Sequence, residues 1–276
     1  METISTNASF GGTQGVYSHT SEVCGCDMTF AVYTPPQAER GPVPVLWYLS
    51  GLTCTHANAM EKAGAQRAAA EHGVAVVFPD TSPRGDHVAD DDAYDLGKGA
   101  GFYVDATQAP WAPNFSMLSH VRDELPALLR AEFSSLDLDR CGITGHSMGG
   151  HGALTIALNN PEKYRSVSAF SPICNPHASD WGRKQLSAYL GDDERNWGDT
   201  DASKLVREKG WQGEILVDQG DADTFLDLLK TGSLIDACAD KGQKATITMR
   251  PGYDHSYYFV SSFIPDHVAF HAAQLG

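Results

Sequence analysis

The chain has few basic residues and no long apolar run. Lys and Arg number 20 against 35 Asp and Glu, which gives a formal net charge of −15 at pH 7. This balance disfavours nucleic acid and anionic membranes as partners, because both bind basic patches. No apolar run approaches the roughly 20 residues of a membrane span, and no basic segment followed by an apolar one comes after Met1. We therefore expect no nucleic-acid partner, no membrane partner and no signal peptide.

Cysteine is scarce and irregularly spaced. The six cysteines, at positions 24, 26, 54, 141, 174 and 238, form no Cys-x-x-Cys pair, and Cys24 and Cys26 stand too close together for a usual zinc knuckle. This pattern predicts no metal site, no disulfide framework and a cytoplasmic protein with reduced thiols. The chain also has no internal repeat and no low-complexity linker, so we expect a single domain over residues 1–276.

Apolar patterning predicts a sheet built from two kinds of strand. Residues 8–34 alternate polar and apolar side chains between Gly-rich turns, which is typical of antiparallel strands. Residues 43–49 and 74–78 are almost continuously apolar, as strands buried on both faces are. The Ala-rich segment 58–71 between them is predicted to be a helix, and a βαβ unit pairs its strands in parallel. Further strands are predicted at 140–144, 166–170, 214–218 and 245–249.

Helical periodicity supplies the remaining layers. The predicted helices are 117–129, 150–158, 225–241 and 256–273. Pro126 and Pro265 are expected to kink or interrupt the first and the last of these. Segments 80–115 and 171–213 lack clear periodicity, and we interpret the second as short excursions over the sheet edge. The predicted fold is therefore α/β, with a mostly parallel central sheet, antiparallel N-terminal strands and helices on both faces.

The strongest chemical motif is Gly145-His146-Ser147-Met148-Gly149. It has the form Gly-x-Ser-x-Gly, in which a sharp strand-to-helix turn exposes a serine nucleophile. A predicted strand precedes the motif and a predicted helix follows it, which is the setting that the motif requires. The pattern indicates a serine hydrolase of the α/β-hydrolase fold with Ser147 as the nucleophile.

A serine nucleophile needs a base and an orienting acid, which follow it in the order acid, then His, in this fold. The loop after the 214–218 strand offers three candidate acids, Asp218, Asp221 and Asp223, and His255 follows the last strand. Four other histidines are expected to lie away from the chemistry. Two of them, His267 and His271, fall in the final helix, and His146 and His151 flank the serine but are expected to point elsewhere.

Two backbone N–H groups should stabilise the negative charge that develops on the substrate oxygen. One is expected from Met148, directly after the nucleophile. The other is expected from Leu52, in the loop after the 43–49 strand. Cys54, two residues further on, is a candidate for the pocket wall.

Several longer motifs resemble the S-formylglutathione hydrolases, the esterase-D-like branch of the α/β-hydrolases. The resemblance extends from the N-terminal strands to the C-terminal helix. The residues that carry it are Ser50-Gly51-Leu52-Thr53-Cys54-Thr55, residues 99–107, residues 145–152, Ser171-Pro172-Ile173-Cys174-Asn175-Pro176, Asp218-Gln219-Gly220 with Asp223, Phe225 and Leu226, and Gly252-Tyr253-Asp254-His255-Ser256-Tyr257-Tyr258.

The resemblance implies hydrolysis of S-formylglutathione to glutathione and formate, the thioester step of formaldehyde detoxification. It implies Ser147, Asp223 and His255 as the catalytic triad, no cofactor, and a cytoplasmic homodimer. Two other functions remain open: a broad short-chain carboxylesterase or acyltransferase with the same triad, and an inactive hydrolase fold that serves as a binding module. The presence of all three triad residues argues against the second.

The substrate pocket is less well defined by the sequence. Four aromatic residues, Trp47, Phe102, Tyr103 and Trp181, suggest a narrow pocket for a small acyl group. The chain departs from the family after Cys54-Thr55, because Ala57 and Ala59 replace residues that are larger in the family. This departure leaves the details of the pocket beside the serine open.

Overall fold

The computed structural model describes all residues from Met1 to Gly276. A nine-stranded sheet runs through it in the order β1-β2-β3-β5-β4-β6-β7-β8-β9. The strands are β1 Glu2–Ser9, β2 Gly12–Ser21, β3 Cys26–Thr34, β4 Val43–Leu49, β5 Ala75–Pro79, β6 Leu136–Gly145, β7 Ser166–Phe170, β8 Ile215–Gly220 and β9 Ala245–Arg250. Strands β1 to β3 pair antiparallel, β3 pairs antiparallel with β5, and all later pairs are parallel. The predicted α/β class with antiparallel N-terminal strands is confirmed.

Ten α-helices surround the sheet. They are α1 His56–Lys62, α2 Ala65–His72, α3 Met117–Ser119, α4 Leu125–Glu132, α5 Met148–Asn159, α6 Asp180–Leu190, α7 Ala202–Glu208, α8 Leu226–Leu229, α9 Thr231–Lys241 and α10 Tyr257–Leu275. A π-helical segment, His120–Glu124, joins α3 to α4. None of these helices has the length and apolar character that crossing a bilayer requires.

The alternation of β4 shows how the helices divide between the two faces. All seven residues of β4 are buried. Val45, Trp47 and Leu49 belong to a core of 52 residues shared with α4, α5, α7 and α9. Leu46 and Tyr48 point to a second core of 18 residues shared with α1, α2 and α10. Since successive strand residues face opposite sides, helices cover both faces, as predicted.

Three predicted helix boundaries are wrong. The segment predicted as one helix, 58–71, is divided between α1 and α2 at Gly64, which has φ = 74°. The segment 225–241 is divided at Lys230, which has φ = 57°. By contrast α10 continues through Pro265. Pro removes a single N–H donor, and the buried neighbours Ile264 and Val268 hold the helix against the sheet on both sides of it.

The two long segments without periodicity pack against each other. Residues 80–115 are irregular, as expected, but 171–213 contains α6 and α7, which the sequence analysis did not predict. Tyr189 on α6 joins the segments, because its hydroxyl donates to the Ala100 carbonyl (2.8 Å) and accepts from the Gly97 N–H (2.9 Å). The Tyr189 ring also stacks on Phe115, with centroids 5.6 Å apart.

Candidate active site

Ser147 stands alone between the end of β6 and the start of α5. Its dihedral angles, φ = 59° and ψ = −121°, are rare for a non-glycine residue and mark a strained turn. The Ser147 N–H donates to the Phe170 carbonyl at 2.9 Å, which ties the turn to β7. A Cβ at Gly145 would lie 2.2 Å from the Gly149 oxygen, and one at Gly149 would lie 2.0 Å from the Leu49 oxygen. Both glycines are therefore needed for the turn to close.

The loop after β4 lies directly against Ser147. A Cβ at Gly51 would be 3.1 Å from the Ser147 Cβ, so only a glycine allows this approach without a shift. The N–H groups of Leu52 and Met148 donate to no protein oxygen. The Met148 N–H also lies at the N-terminus of α5, where the helix dipole favours negative charge. These two groups are free to bind a ligand oxygen.

Asp223 and His255 are joined by a short hydrogen bond. The His255 Nδ1 lies 2.6 Å from the Asp223 Oδ2. Two further donors bind this carboxylate, the Gln219 amide (3.0 Å) and the Phe225 N–H (2.8 Å). Burial alone would raise the pKa of Asp223, but these hydrogen bonds and the neighbouring His255 lower it below its usual value. An ionised Asp223 holds the proton on Nδ1 and leaves Nε2 of His255 free to accept one.

The other two candidate acids have different partners. Asp218 is buried and forms a bidentate pair with Arg250, at 3.0 and 2.9 Å, with His267 Nε2 also 3.4 Å away. Asp221 is exposed and accepts a hydrogen bond from the Gly252 N–H at 2.7 Å. Neither carboxylate contacts His255.

Three of the other histidines lie in the core, as expected. His267 and His271 are fully buried and bind the hydroxyl of Ser168, at 2.9 and 2.8 Å. His151 is also buried within α5. The expectation for His146 is wrong, because its ring lies 4.6 Å from that of His255, centroid to centroid, and lines the same cavity. Burial lowers the pKa of His146 well below its usual value, so this ring packs against His255 as a neutral group.

Ser147 and His255 open into one cavity of about 260 Å³. Six of its twelve wall residues are hydrophobic, and none is Asp, Glu, Lys or Arg. The wall consists of Gly51, Leu52, Thr53, Cys54, His146, Ser147, Trp181, Phe225, Leu229, His255, Ser256 and Tyr257. A cavity of this size and character fits a small acyl group.

The pocket predictions met mixed outcomes. Cys54 and Trp181 line the cavity, whereas Trp47, Phe102 and Tyr103 do not. The Trp47 side chain points from β4 into the larger core. Phe102 contacts the wall only from behind, by packing edge-on against Trp181. Phe225, Leu229 and Tyr257 also line the cavity, and none of them was predicted to do so from the sequence. Phe225 and Tyr257 nevertheless belong to the motifs that carry the resemblance.

Two further residues near the cavity bear on the departure from the family pattern. Neither Ala57 nor Ala59 lines the cavity. Ala59 is fully buried in the core on the inner side of α1.

Cys54 is the one cysteine that is not buried, and partial burial raises the pKa of its thiol.

One cluster elsewhere resembles a metal site by composition. His19, His120 and Glu124 each bring a possible ligand atom within 4.8 Å of the others. The two imidazole rings stack nearly parallel, 5.3 Å apart with 9° between their planes. Parallel stacked rings cannot both direct their in-plane lone pairs at one ion. The His120 Nδ1 already binds Glu124 at 2.8 Å, so that nitrogen is occupied by the carboxylate.

The site combines a serine and a carboxylate-bound imidazole in one cavity with the N–H groups of Leu52, in the cavity wall, and of Met148, directly after the serine. Together these groups can perform acyl transfer: the serine attacks a carbonyl, the imidazole moves the proton and the N–H groups hold the oxyanion. The apolar wall limits water around the reacting carbonyl.

Comparison with known proteins agrees with this chemistry. A family model described as "Putative esterase" matches residues 21–270. The S-formylglutathione hydrolase of Paracoccus denitrificans (strain Pd 1222) is 63% identical over 275 residues, which cover 100% of this chain and 98% of the relative. That of Mus musculus is 52% identical and is covered to 99%. A solved S-formylglutathione hydrolase from Agrobacterium tumefaciens superposes with a TM-score of 0.97 at 51% identity, with both chains covered completely. The chain therefore belongs to the esterase family, in its S-formylglutathione hydrolase branch.

Proposed function

We propose that this protein hydrolyses S-formylglutathione to glutathione and formate, with Ser147, His255 and Asp223 as its catalytic triad. The observation that carries the proposal is that Ser147 and the Asp223-bound His255 line one small cavity. The high identity to S-formylglutathione hydrolases along the whole chain supports the choice of substrate.

Acylation begins when the Ser147 oxygen attacks the thioester carbonyl and the His255 Nε2 takes its proton. The N–H groups of Leu52 and Met148 bind the oxyanion, and Asp223 stabilises the imidazolium. The carbon–sulfur bond then breaks and leaves a formyl group on Ser147. The thiolate is a stable leaving group, so carbon–sulfur cleavage needs less proton donation than loss of an alkoxide would. The proton held by His255 then passes to the thiolate or to solvent, which returns His255 to the neutral form before deacylation.

Deacylation repeats the sequence with water as the nucleophile. His255 takes a proton from the water as its oxygen attacks the formyl carbon. The new oxyanion binds the same two N–H groups. Its collapse returns the proton from His255 to Ser147 and releases formic acid, which loses its remaining proton to solvent and becomes formate. All of these steps use the chain's own groups and need no cofactor.

We also propose that the protein acts in the cytoplasm as a homodimer with a small-molecule substrate and without nucleic-acid or membrane partners. The six free thiols support a reducing compartment. The dimer rests on the resemblance to the family.

The decisive experiment measures kinetics on S-formylglutathione beside aryl esters for wild type and Ser147→Ala. Removing the nucleophile should lower turnover by about 10⁴-fold or more while the circular dichroism spectrum stays unchanged. An organophosphonate should label wild type once per chain and should not label the variant. A folded Ser147→Ala protein that keeps a tenth of the activity contradicts the assignment, and an unlabelled wild type points to the inactive binding module.

The alternative, a broad short-chain carboxylesterase, differs in how it tolerates longer acyl groups. The cavity of about 260 Å³ is bounded by Trp181, Phe225 and Leu229. We expect kcat/KM to be higher for aryl acetate than for aryl butyrate, because a longer acyl chain must be accommodated against these three side chains. Turnover of an aryl octanoate as fast as the acetate contradicts a narrow acyl pocket.

A further inference from the structure

A second depression adjoins the catalytic cavity at the first turn of α10. It encloses about 490 Å³ and is lined by Lys62, Ser256, Tyr257, Tyr258 and Ser261. Ser256 and Tyr257 belong to the walls of both spaces, so the two are neighbours across these side chains. The second depression is therefore the neighbouring space for the leaving group of a substrate whose acyl group lies at Ser147.

The depression supplies a positive charge that the catalytic cavity lacks. No Lys or Arg lines the catalytic cavity, whereas Lys62 lines its neighbour. The salt bridges of the chain's lysines involve Lys98, Lys163, Lys184, Lys204, Lys209 and Lys244, and none involves Lys62. The Lys62 ammonium is thus an exposed cation without a carboxylate partner in the protein.

The direction of the Lys62 side chain favours contact with a molecule leaving the cavity. Lys62 occupies the last turn of α1, whose N-terminal residue, His56, follows Cys54 by two positions. Side chains on a helix lean toward its N-terminus, which here is the end beside the cavity. Burial raises the pKa of the Cys54 thiol, and the positive charge of Lys62 partly opposes that rise.

Tyr258 gives the depression a second unusual feature. Its side chain is 86% exposed, the largest exposure among the big hydrophobic residues of the chain. An aromatic ring held this far into solvent beside the mouth of an active site offers a flat surface for a bound peptide. The Ser256 and Ser261 hydroxyls provide polar atoms at the same place.

We propose that this depression binds the peptide part of the leaving thiol and that Lys62 pairs with one of its carboxylates. The inference rests on the proposed function and names Lys62 as a specificity-determining residue for anionic peptide thiols. In a tripeptide thiol, a terminal carboxylate lies up to about two residues from the sulfur, or about 7 Å when extended. That reach is similar to the width of a cavity of about 260 Å³, so the carboxylate lies near the edge of the cavity, where Ser256 and Tyr257 also border the depression. Without Lys62, the carboxylates would approach a chain of net charge −15 unaided.

The test compares two substrates in Lys62→Gln, Lys62→Arg and a matched control. Lys241→Gln is the control, because Lys241 is also an exposed lysine in the last turn of a helix but lies outside both spaces. For each protein, kcat/KM is measured for S-formylglutathione and for an uncharged aryl acetate. Lys62→Gln should lower the ratio of these two constants by about 2- to 5-fold, through KM of the thioester, as expected for a solvent-exposed charge pair.

The controls separate binding from structure. Lys62→Arg should restore most of the ratio, because it keeps the charge, and Lys241→Gln should leave the ratio at the wild-type value. An unchanged ratio in Lys62→Gln, or an equal loss on both substrates, would overturn the role of Lys62 while leaving the proposed function intact. A wild-type protein that does not hydrolyse S-formylglutathione would reject both.

Discussion

At the scale of single residues, the partner of each carboxylate decides its role. Asp218 and Asp223 are both buried, and hydrogen bonds lower the pKa of both against the opposing effect of burial. The Asp218 carboxylate pairs with Arg250 and His267 and does not contact His255. The Asp223 carboxylate instead forms a hydrogen bond with His255, which lines the cavity. The two buried carboxylates thus differ in their partners, Arg250 and His267 for Asp218 and His255 for Asp223.

Exchange of each aspartate for Asn should separate these roles. Asp223→Asn should lower kcat/KM by at least about 10²-fold, because the amide offers His255 the wrong hydrogen-bond partner. The same change in the triad of a serine protease lowers kcat by about 10⁴-fold. Asp221→Asn should stay near wild type, since the amide oxygen can still accept from Gly252. Asp218→Asn should mainly lower the urea midpoint of unfolding, because it removes the charge that faces Arg250. An inactive, folded Asp221→Asn or Asp218→Asn beside an active Asp223→Asn would contradict the assignment.

The chemical residues were predictable from sequence to different degrees. Ser147 could be predicted from the flanking glycines that the turn requires. His255 could be predicted from its position after the last strand. The sequence alone could not choose Asp223 over Asp218 and Asp221, and the family resemblance was needed. The contact between His146 and His255 was missed, because it depends on how two loops from distant parts of the chain meet in space.

At the scale of elements, Glu124 joins the β2–β3 turn to the π-helical segment. Its carboxylate accepts hydrogen bonds from the Ser21 hydroxyl and from the N–H groups of Glu22 and Val23, at 2.6, 2.6 and 3.3 Å. It also binds His120 Nδ1 at 2.8 Å. Burial opposes ionisation, but these hydrogen bonds prevail and lower the pKa of Glu124 to about 2.

This pKa predicts how acid weakens the connection. The pKa of Glu124 is lower in the folded state than in the unfolded state. The contribution of Glu124 to stability is therefore complete above the unfolded pKa of about 4.5 and is lost as the pH falls toward about 2. Glu124→Gln should lower the free energy of unfolding by about 1–3 kcal/mol at neutral pH. The difference from wild type should shrink between pH 5 and pH 2, a range inferred from those two pKa values. Urea unfolding at several pH values measures this.

The exposed neighbour Glu22 provides the control for that series. Its backbone N–H binds Glu124, but its own side chain is solvent-exposed. Glu22→Gln should therefore follow the wild-type pH curve. A Glu124→Gln deficit that is the same at every pH would show that shape, and not charge, accounts for the loss.

Element boundaries were predictable where the cause is local. The strands β4, β5 and β7 were predicted within a residue or so, because each is a continuous apolar run between polar ends. The break at Gly64 has a local cause, because glycine readily adopts left-handed backbone, whereas nothing in the local sequence marks the same conformation at Lys230. The passage of α10 through Pro265 depends on tertiary packing, since the core on both sides outweighs one missing hydrogen bond.

At the scale of the whole molecule, the dominant feature is the excess of negative charge. Each chain carries a formal net charge of −15. Two chains in a homodimer repel each other through these charges at distances up to the screening length. That length is about 30 Å at 0.01 M salt and about 8 Å at 0.15 M. Contacts within the interface must outweigh this repulsion, which is long-ranged only at low salt.

The proposed homodimer should therefore tighten as salt is added. Sedimentation velocity at about 0.15 M salt should give twice the 29.7 kDa of one chain, and dilution at about 0.01 M salt should shift the distribution toward the single chain. The direction follows from repulsion between like-charged subunits. A dimer held mainly by ion pairs between subunits would behave oppositely and loosen as salt screens those pairs. A mass of one chain at both salt concentrations, whatever the protein concentration, would reject the dimer itself.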